Sequence, residues 1–424
     1  MSGFLTSSES RWLIPFSSRT QARGAMQSKI NPVNVAWLCV IAAVLLNLLG
    51  IMAIDTVPRP DSPDFAMKHF QFMIIGMLAA GLIALPHYRF LQRLTYIFMI
   101  LVLGMLVFVL MKWVPDSIVH PRNGARRWIT LPFTDFQPSE LAKIAYVLAL
   151  ASYLRFRKNY RTMFGLLLPL FLTFIPMGLI VVEPDLGTAM VFLPTFFAVL
   201  IAAGAKYRHL LIVALIGLSL APMLYPVLQP HQQARIKAMI AQMSGEDRYN
   251  QTIGFQADRA KTLVGAGGFF GAGKQKAAAL VHYNHLPEEH NDMVFAVICC
   301  RWGVLGALAT WGLYLILIVG GLLTSAKCRE PFGRLVGVGL VTVLFSQMII
   351  NTGMTIGLLP ITGMTLPFIS YGGSSLVVAW MMVGLLLNIA LRRPGFTLRY
   401  SFEFDEQVDD EVSFRVGVWR MPGA

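Results

Sequence analysis

The chain has 424 residues, 56% of them hydrophobic and only 13% charged, with a mean hydropathy of +0.62. No water-soluble core of this length needs so much apolar surface, so a soluble domain is excluded. The net charge of +13 does not call for nucleic acid, because basic loops facing anionic lipid account for it.

Residues 1–31 are polar and rich in Ser and Arg, with no apolar core before a small-residue cleavage site, and read as a cytoplasmic tail. Apolar runs able to cross about 30 Å of hydrocarbon then recur along the chain. They fall roughly at 33–54, 69–86, 94–112, 140–154, 163–182, 187–204, 209–227, 293–323, 335–357 and 373–391, the fourth being short enough to borrow from its flanks. The expected fold is an all-α polytopic membrane protein of about ten transmembrane helices. Residues 32–393 form its membrane domain, and 394–424 form a tail of mixed charge that carries no functional signal. Short loops set the orientation. Arg89, Arg93, Arg155, Arg157, Lys158, Arg161, Lys206, Arg208, Lys327, Arg329, Arg334, Arg392, Arg393 and Arg399 gather on one side, whereas 183–186 and 358–369 carry no Lys or Arg. Positive loops face the cytoplasm, so both termini are expected there.

The large loop 228–292, between helices seven and eight, then lies outside, and a loop of that length is usually functional. It holds an amphipathic stretch (QQARIKAMIAQM), a polar turn (SGEDRYNQ) and the glycine-dense LVGAGGFFGAGKQK. Such glycines allow a sharp turn or close backbone approach to a ligand. The run is not a phosphate loop, since Gln275 follows Lys274 where Ser or Thr is needed. Cys39, Cys299, Cys300 and Cys328 show neither metal spacing nor a disulfide framework and read as packing residues. HYNHLPEEHND offers His282, His285 and His290, but Pro287 interrupts it and the spacing fits no zinc pattern, so no metal ligands are assigned.

Ionisable residues cluster at the outer ends of the helices. Glu140 and Lys143 are three apart and share a helix face. Asp185 sits in the turn that begins the sixth helix, and Asp292 opens the eighth. Arg122, Arg126 and Arg127 precede the fourth. Singly, each has a bland explanation: acids suit a first turn and interfacial arginines snorkel. Together they mark a site on the outer side. Arg301, nine residues into the eighth helix, would lie roughly 13 Å below Asp292 in a straight helix and must reach a carboxylate, a helix-terminal carbonyl or water. The apolar stretch 356–375 is cut by Pro360, Gly363 and Pro367 and cannot be one helix; such backbone survives only where protein or a cavity shields it. Ser374 and Ser375 open the tenth helix, where free N–H groups suit an anion or ordinary serine capping.

Four stretches now carry a resemblance: NGARRWI with QPSELAK, EPDLGTA, LPEEHNDMVFAV and GLLPITGMTLPFISYGGSS. In that order they resemble the motifs of the SEDS family (shape, elongation, division and sporulation), which includes RodA and FtsW. The turn EPDLGTA resembles the family's Q-P-D-[LF]-G-T-[AS]. The resemblance implies a peptidoglycan glycosyltransferase in the bacterial cytoplasmic membrane that polymerises lipid II on the outer face. It implies a class B penicillin-binding protein as transpeptidase partner. The family's essential loop aspartate falls on Asp292, and its helix-four acid and base on Glu140 and Lys143.

The residue types suit that chemistry. An acceptor hydroxyl must lose a proton as it attacks the anomeric carbon, and a carboxylate such as Asp292 takes it. Undecaprenyl pyrophosphate leaves with its own charge and needs cations, for which Arg126, Arg127 and Lys143 are candidates. Asp185, His290, Ser374 and Ser375 complete the expected substrate-binding set, with His290 bonding Asp292 or a backbone carbonyl to fix the loop. A divalent cation, Mg2+ or Mn2+, bridging the pyrophosphate is compatible with this chemistry, and no organic cofactor is expected. Asn291, Met293 and ICCRWG depart from the family pattern, the last reversing a glutamate to Arg301. The stretch GMTIGLLPITGMTLPF leans towards a RodA-like role in elongation. Two alternatives carry different expectations. A lipid-linked precursor flippase would show internal repeats and paired broken helices, and a noncatalytic scaffold for a penicillin-binding protein would tolerate loss of Asp292.

Overall fold

The structure is a computed structural model and describes residues 32–57, 64–122, 125–131, 134–157, 159–244 and 254–392. Both expected tails, Lys158, Arg393, Arg399 and nearly all of the polar turn SGEDRYNQ lie outside the described residues, as does the Arg122 side chain.

Membrane-type helices account for most of the described chain. They are α1 (Pro32–Ile54), α2 (Phe65–Ala84), α3 (Tyr88–Leu110), α4 (Pro138–Leu154), α5 (Leu167–Val182), α6 (Leu186–Ala203) and α7 (Tyr207–Leu224). Three shorter helices follow in the long loop, α8 (Pro230–Met243), α9 (Phe255–Ala266) and α10 (Lys274–Asn284). The last three are α11 (Val294–Ala326), α12 (Pro331–Thr355) and α13 (Gly373–Leu391). Among the described residues, eight helices are long and apolar enough to cross a membrane. The other two expected spans correspond to α7, whose apolar part is Tyr207–Leu220, and to α4, with only 17 residues. α4 is short and modestly apolar because it meets little lipid: nearly every side chain from Pro138 to Leu154 is buried against neighbouring helices. A helix enclosed by protein can carry Glu140 and Lys143 where a lipid-facing one could not.

Between α3 and α4 the chain departs from an all-helical plan. β1 (Val119–Arg122), β2 (Ala125–Thr130) and β3 (Asp135–Phe136) form a three-stranded antiparallel sheet in the order β1-β2-β3. It places Arg126 and Arg127 beside the start of α4.

Small residues set the closest helix contacts, as expected where no water drives association. α13 lies so close to α2 that a Cβ on Gly384 would stand 2.5 Å from the Ala80 carbonyl oxygen. The bundle has two polar ends. At one, the expected cytoplasmic face, buried Glu330 before α12 takes Arg155 at the end of α4 (2.5 Å), Arg89 of α3 (3.2 Å) and the Tyr88 hydroxyl (2.5 Å). At the other end, the expected outer face, the start of α2 meets the loop before α11. The segment 356–372 runs irregularly across this end, as its prolines and glycines require.

Arg301 pairs as expected. α11 breaks at Gly303, and Arg301 donates to the Met52 carbonyl (2.6 Å) and the Thr56 hydroxyl (2.8 Å) at the end of α1. The side chain also lies over the Trp302 ring, 4.2 Å from its centroid. The break falls after Arg301, and the reversed charge is absorbed by a helix terminus.

Candidate active site

Asp292 precedes α11 and is 6% exposed. Among the described residues its side chain has weak support, a contact from the Gln256 amide of α9 at 3.5 Å and its own backbone N–H. Its main chain is held firmly. The Asn351 amide of α12 donates to the Asp292 carbonyl at 2.8 Å and to the Met364 carbonyl at 2.7 Å, stapling the loop before α11 to the irregular segment. Gly363, in the left-handed region at φ 72°, lies beside the carboxylate; a Cβ there would stand 3.9 Å from Oδ2. Burial pushes the Asp292 carboxyl up to about 7, Glu288 adds to this, and the Arg235 guanidinium pulls it back.

Arg235, from the amphipathic stretch that became α8, was not singled out by sequence reasoning. Its guanidinium donates to the Ile361 carbonyl at 3.0 Å and feels Asp292, Arg127 and Asp185 together. It thus couples electrostatically to both the loop of Asp292 and the turn of Asp185. A small cleft opens beside it, lined by Arg235, Met239, Gly254, Leu359 and Ile361 among others. No signal in the local sequence separated Arg235 from an ordinary cation on an amphipathic helix.

Asp185 differs in kind. It caps α6, accepting from the Thr188 N–H (3.1 Å) and hydroxyl (2.9 Å), and it also takes the Gln137 amide (3.0 Å) and Ser139 hydroxyl (3.4 Å). Arg127 reaches the same turn, donating to the Glu183 carbonyl at 2.7 Å and to the Pro184 carbonyl. Glu183 is fully buried, and neither carboxyl oxygen has a hydrogen-bond partner among the described residues. Burial, then the neighbouring Asp185, pushes its carboxyl up to about 9, with Arg127 opposing. A neutral acid of this kind is uncharged, as is the glutamine that the resembled motif carries there.

The other expected residues are placed as follows. Glu140 and Lys143 form a buried ion pair at 2.8 Å. Arg126 pairs with Asp116 at 3.3 Å and donates to the Val114 carbonyl at 2.6 Å. Ser374 donates to the Asp135 carbonyl (2.7 Å) and accepts from the Gln137 N–H (3.2 Å), so it ties α13 to the start of α4. Ser375 donates to the Gly372 carbonyl at 3.1 Å. The His290 ring stacks on Phe65 with centroids 4.2 Å apart, and its carbonyl accepts from the Tyr371 N–H at 2.9 Å, so stacking and a main-chain bond hold this loop. The structure therefore brings Asp292, Arg235, Asp185, Glu183 and Arg127 into one electrostatic neighbourhood, with Arg126 held by the sheet. Cys39, Cys299 and Cys300 are buried, Cys328 is half-buried, and all four are free thiols.

Comparison with known proteins agrees with this architecture. A family model described as "Cell cycle protein", for the FtsW, RodA and SpoVE proteins, matches residues 33–394. Stage V sporulation protein E of Bacillus subtilis is 33% identical over 362 residues, covering 83% of this chain and 96% of that protein. A probable peptidoglycan glycosyltransferase FtsW of Legionella pneumophila is 32% identical over 383 residues, covering 87% and 93%. One solved structure concerns the structural coordination of polymerization and crosslinking by a peptidoglycan synthase complex. It matches with a TM-score of 0.70 at 30% identity, over 84% of this chain and 97% of that one. The crystal structure of the rod shape determining protein RodA of Thermus thermophilus matches with a TM-score of 0.62 at 29% identity, over 85% and 98%. This chain belongs to the FtsW, RodA and SpoVE family, the SEDS family indicated by its four motifs, and is a multi-pass bacterial membrane protein.

Proposed function

We propose that the protein is a peptidoglycan glycosyltransferase that polymerises lipid II at the outer face of the cytoplasmic membrane, with Asp292 as the base. The observation that carries this reading is the state of Asp292: buried, weakly satisfied, in electrostatic reach of Arg235, and titrating near neutrality. A base works best when its pKa lies near the working pH. In the reaction the acceptor hydroxyl oxygen bonds to the donor's anomeric carbon, its proton passes to Asp292, and the bond to pyrophosphate breaks. The leaving group keeps the electron pair. Arg235 is the cation best placed to meet the charge developing there. Arg127, Arg126 and Lys143 are held by partners of their own farther from Asp292's loop, in the turn of Asp185, the sheet and α4.

No three or more His, Cys, Asp or Glu among the described residues are grouped to hold a metal ion. Mg2+ needs only one or two carboxylates beside substrate phosphates, so a divalent ion bridging the pyrophosphate belongs to the proposal. The partner proposed is a class B penicillin-binding protein. The match to a peptidoglycan synthase complex supports it.

The test is polymerisation of labelled lipid II by the purified protein, alone and with its transpeptidase, comparing wild type with Asp292→Asn. Loss of at least about 10²-fold in a folded variant is expected from removing the base. Equal product from both would remove Asp292 from the mechanism, and no product from either with the partner present would favour a scaffold or a flippase. Depleting the protein in cells assigns the process: rounded cells for elongation, filaments for division.

A further inference from the structure

The glycine-dense stretch 263–276 has no part in the glycosyl transfer proposed above, yet its placement is specific. α11 is broken at Gly303 (φ 65°, ψ −154°), and the loop joining α9 to α10 fills the break. The N–H groups of Ala272 and Gly273 donate to the carbonyls of Cys300 (2.9 Å) and Arg301 (3.1 Å). In return the N–H groups of Val304 and Leu305 donate to the carbonyls of Gly268 (3.0 Å) and Phe269 (3.4 Å). Backbone groups that a broken helix would orphan are thereby satisfied. Only glycine permits this approach: a Cβ on Gly267 would stand 1.9 Å from the Cys299 carbonyl oxygen, and one on Gly271 2.2 Å from that of Arg301.

The exchange delivers Phe269 and Phe270 to the surface, 56% and 78% exposed, edge to face with centroids 5.0 Å apart. They stand where the straight part of α11 begins. Val304, Leu305, Leu308 and Trp311 of that span are exposed, as is Met52 near the end of α1, so the aromatic pair continues an apolar belt. Cations lie immediately beyond the belt. Arg301 reaches the end of α1, and Lys274 pairs with exposed Asp55 at 2.6 Å. An aromatic pair at the edge of a lipid-facing belt, with lysine and arginine just outside it, is the chemistry of a membrane interface.

We propose that Phe269 and Phe270 insert among the phospholipid acyl chains of the outer leaflet, with Lys274 and Arg301 at headgroup level. The anchor fixes the break in α11 and hence the height of the loop that carries Asp292. The test places a nitroxide at position 270 (Phe270→Cys) in nanodiscs of phosphatidylethanolamine and phosphatidylglycerol. Relaxation by oxygen, which concentrates in acyl chains, is compared with relaxation by a water-soluble nickel chelate. Tyr283→Cys, at the far end of α10 and 79% exposed, is the water-facing control. Cys39, Cys299 and Cys300 are buried, and protein without an added cysteine gives the background. The oxygen-to-nickel ratio at 270 is expected to exceed that at 283 severalfold. Equal ratios would put the tip in water and overturn the proposal. Shielding from both relaxants would overturn it in favour of a protein surface covering the pair.

Discussion

The turn 183–188 and the loop 286–293 each present an acidic residue at the same end of the bundle, and the two aspartates fare differently. Asp185 accepts from four donors of Thr188, Gln137 and Ser139, within its own turn and from the start of α4. Asp292 has one long contact from Gln256 besides its own backbone N–H, while its carbonyl is stapled by Asn351. Donors aimed at a carboxylate hold its charge and spend its lone pairs on structure. A carboxylate denied donors but fixed in place keeps those lone pairs for a substrate proton. Burial and motif alone do not separate the two aspartates; the count and quality of their donors do.

Activity should separate the two aspartates most widely. Asp292→Asn is expected to lower lipid II polymerisation by at least about 10²-fold, whereas Asp185→Asn, which keeps an acceptor for the cap, should lose far less per folded molecule. Comparable losses would break the distinction. Stability should separate them in the opposite sense. Asp185→Ala removes a cap worth about 1 kcal/mol and orphans buried donors at roughly 1–3 kcal/mol each, so thermal unfolding in detergent should fall by several degrees. Asp292→Asn should leave the midpoint unchanged or raise it at pH 8, because it removes a buried charge.

Arg235→Ala sharpens the electrostatic half of the comparison. Arg235 draws the Asp292 carboxyl down, so its loss should move the acid limb of the pH–rate profile to higher pH. A lower rate with an unmoved limb would mean that Arg235 acts on substrate alone. A further effect concerns Glu183. Its carboxyl lies at about 9 in the fold against an ordinary 4.5, so the folded state holds a proton that the unfolded chain has lost. Stability contributed by this group is therefore complete below about 4.5 and declines as pH rises through 9. Glu183→Gln should remove that decline, flattening the dependence of the unfolding midpoint between pH 6 and 9. An unchanged slope would show that Glu183 is ionised in the fold.

Much of the architecture was readable in advance because it obeys a local rule. Apolar runs of membrane length marked the helices, basic loops marked the face where Glu330 gathers Arg89 and Arg155, and three-residue spacing paired Glu140 with Lys143. The prolines of 356–372 announced broken backbone, and that segment runs as irregular chain. Arg301 had to find a partner, and found the end of α1. Harder to read were the small sheet between α3 and α4, whose strands are only two to six residues long, and the break in α11. That break has its partners in a loop some thirty residues earlier, so no window around Gly303 contains its cause.

Sequence by itself determined the solvent this protein needs, which helix ends carry charge, and which acids and cations are available at each face. Those properties follow from composition and from periodicity along one segment. Tertiary structure decided what each charge does. Whether Asp185 or Asp292 is satisfied depends on Gln137, Ser139, Gln256 and Asn351, which come from distant helices. Whether Arg235 matters depends on α8 folding back over the irregular segment to reach Ile361. Hydrogen bonding and electrostatic coupling act over a few ångströms, and in this chain those ångströms separate residues tens to hundreds of positions apart.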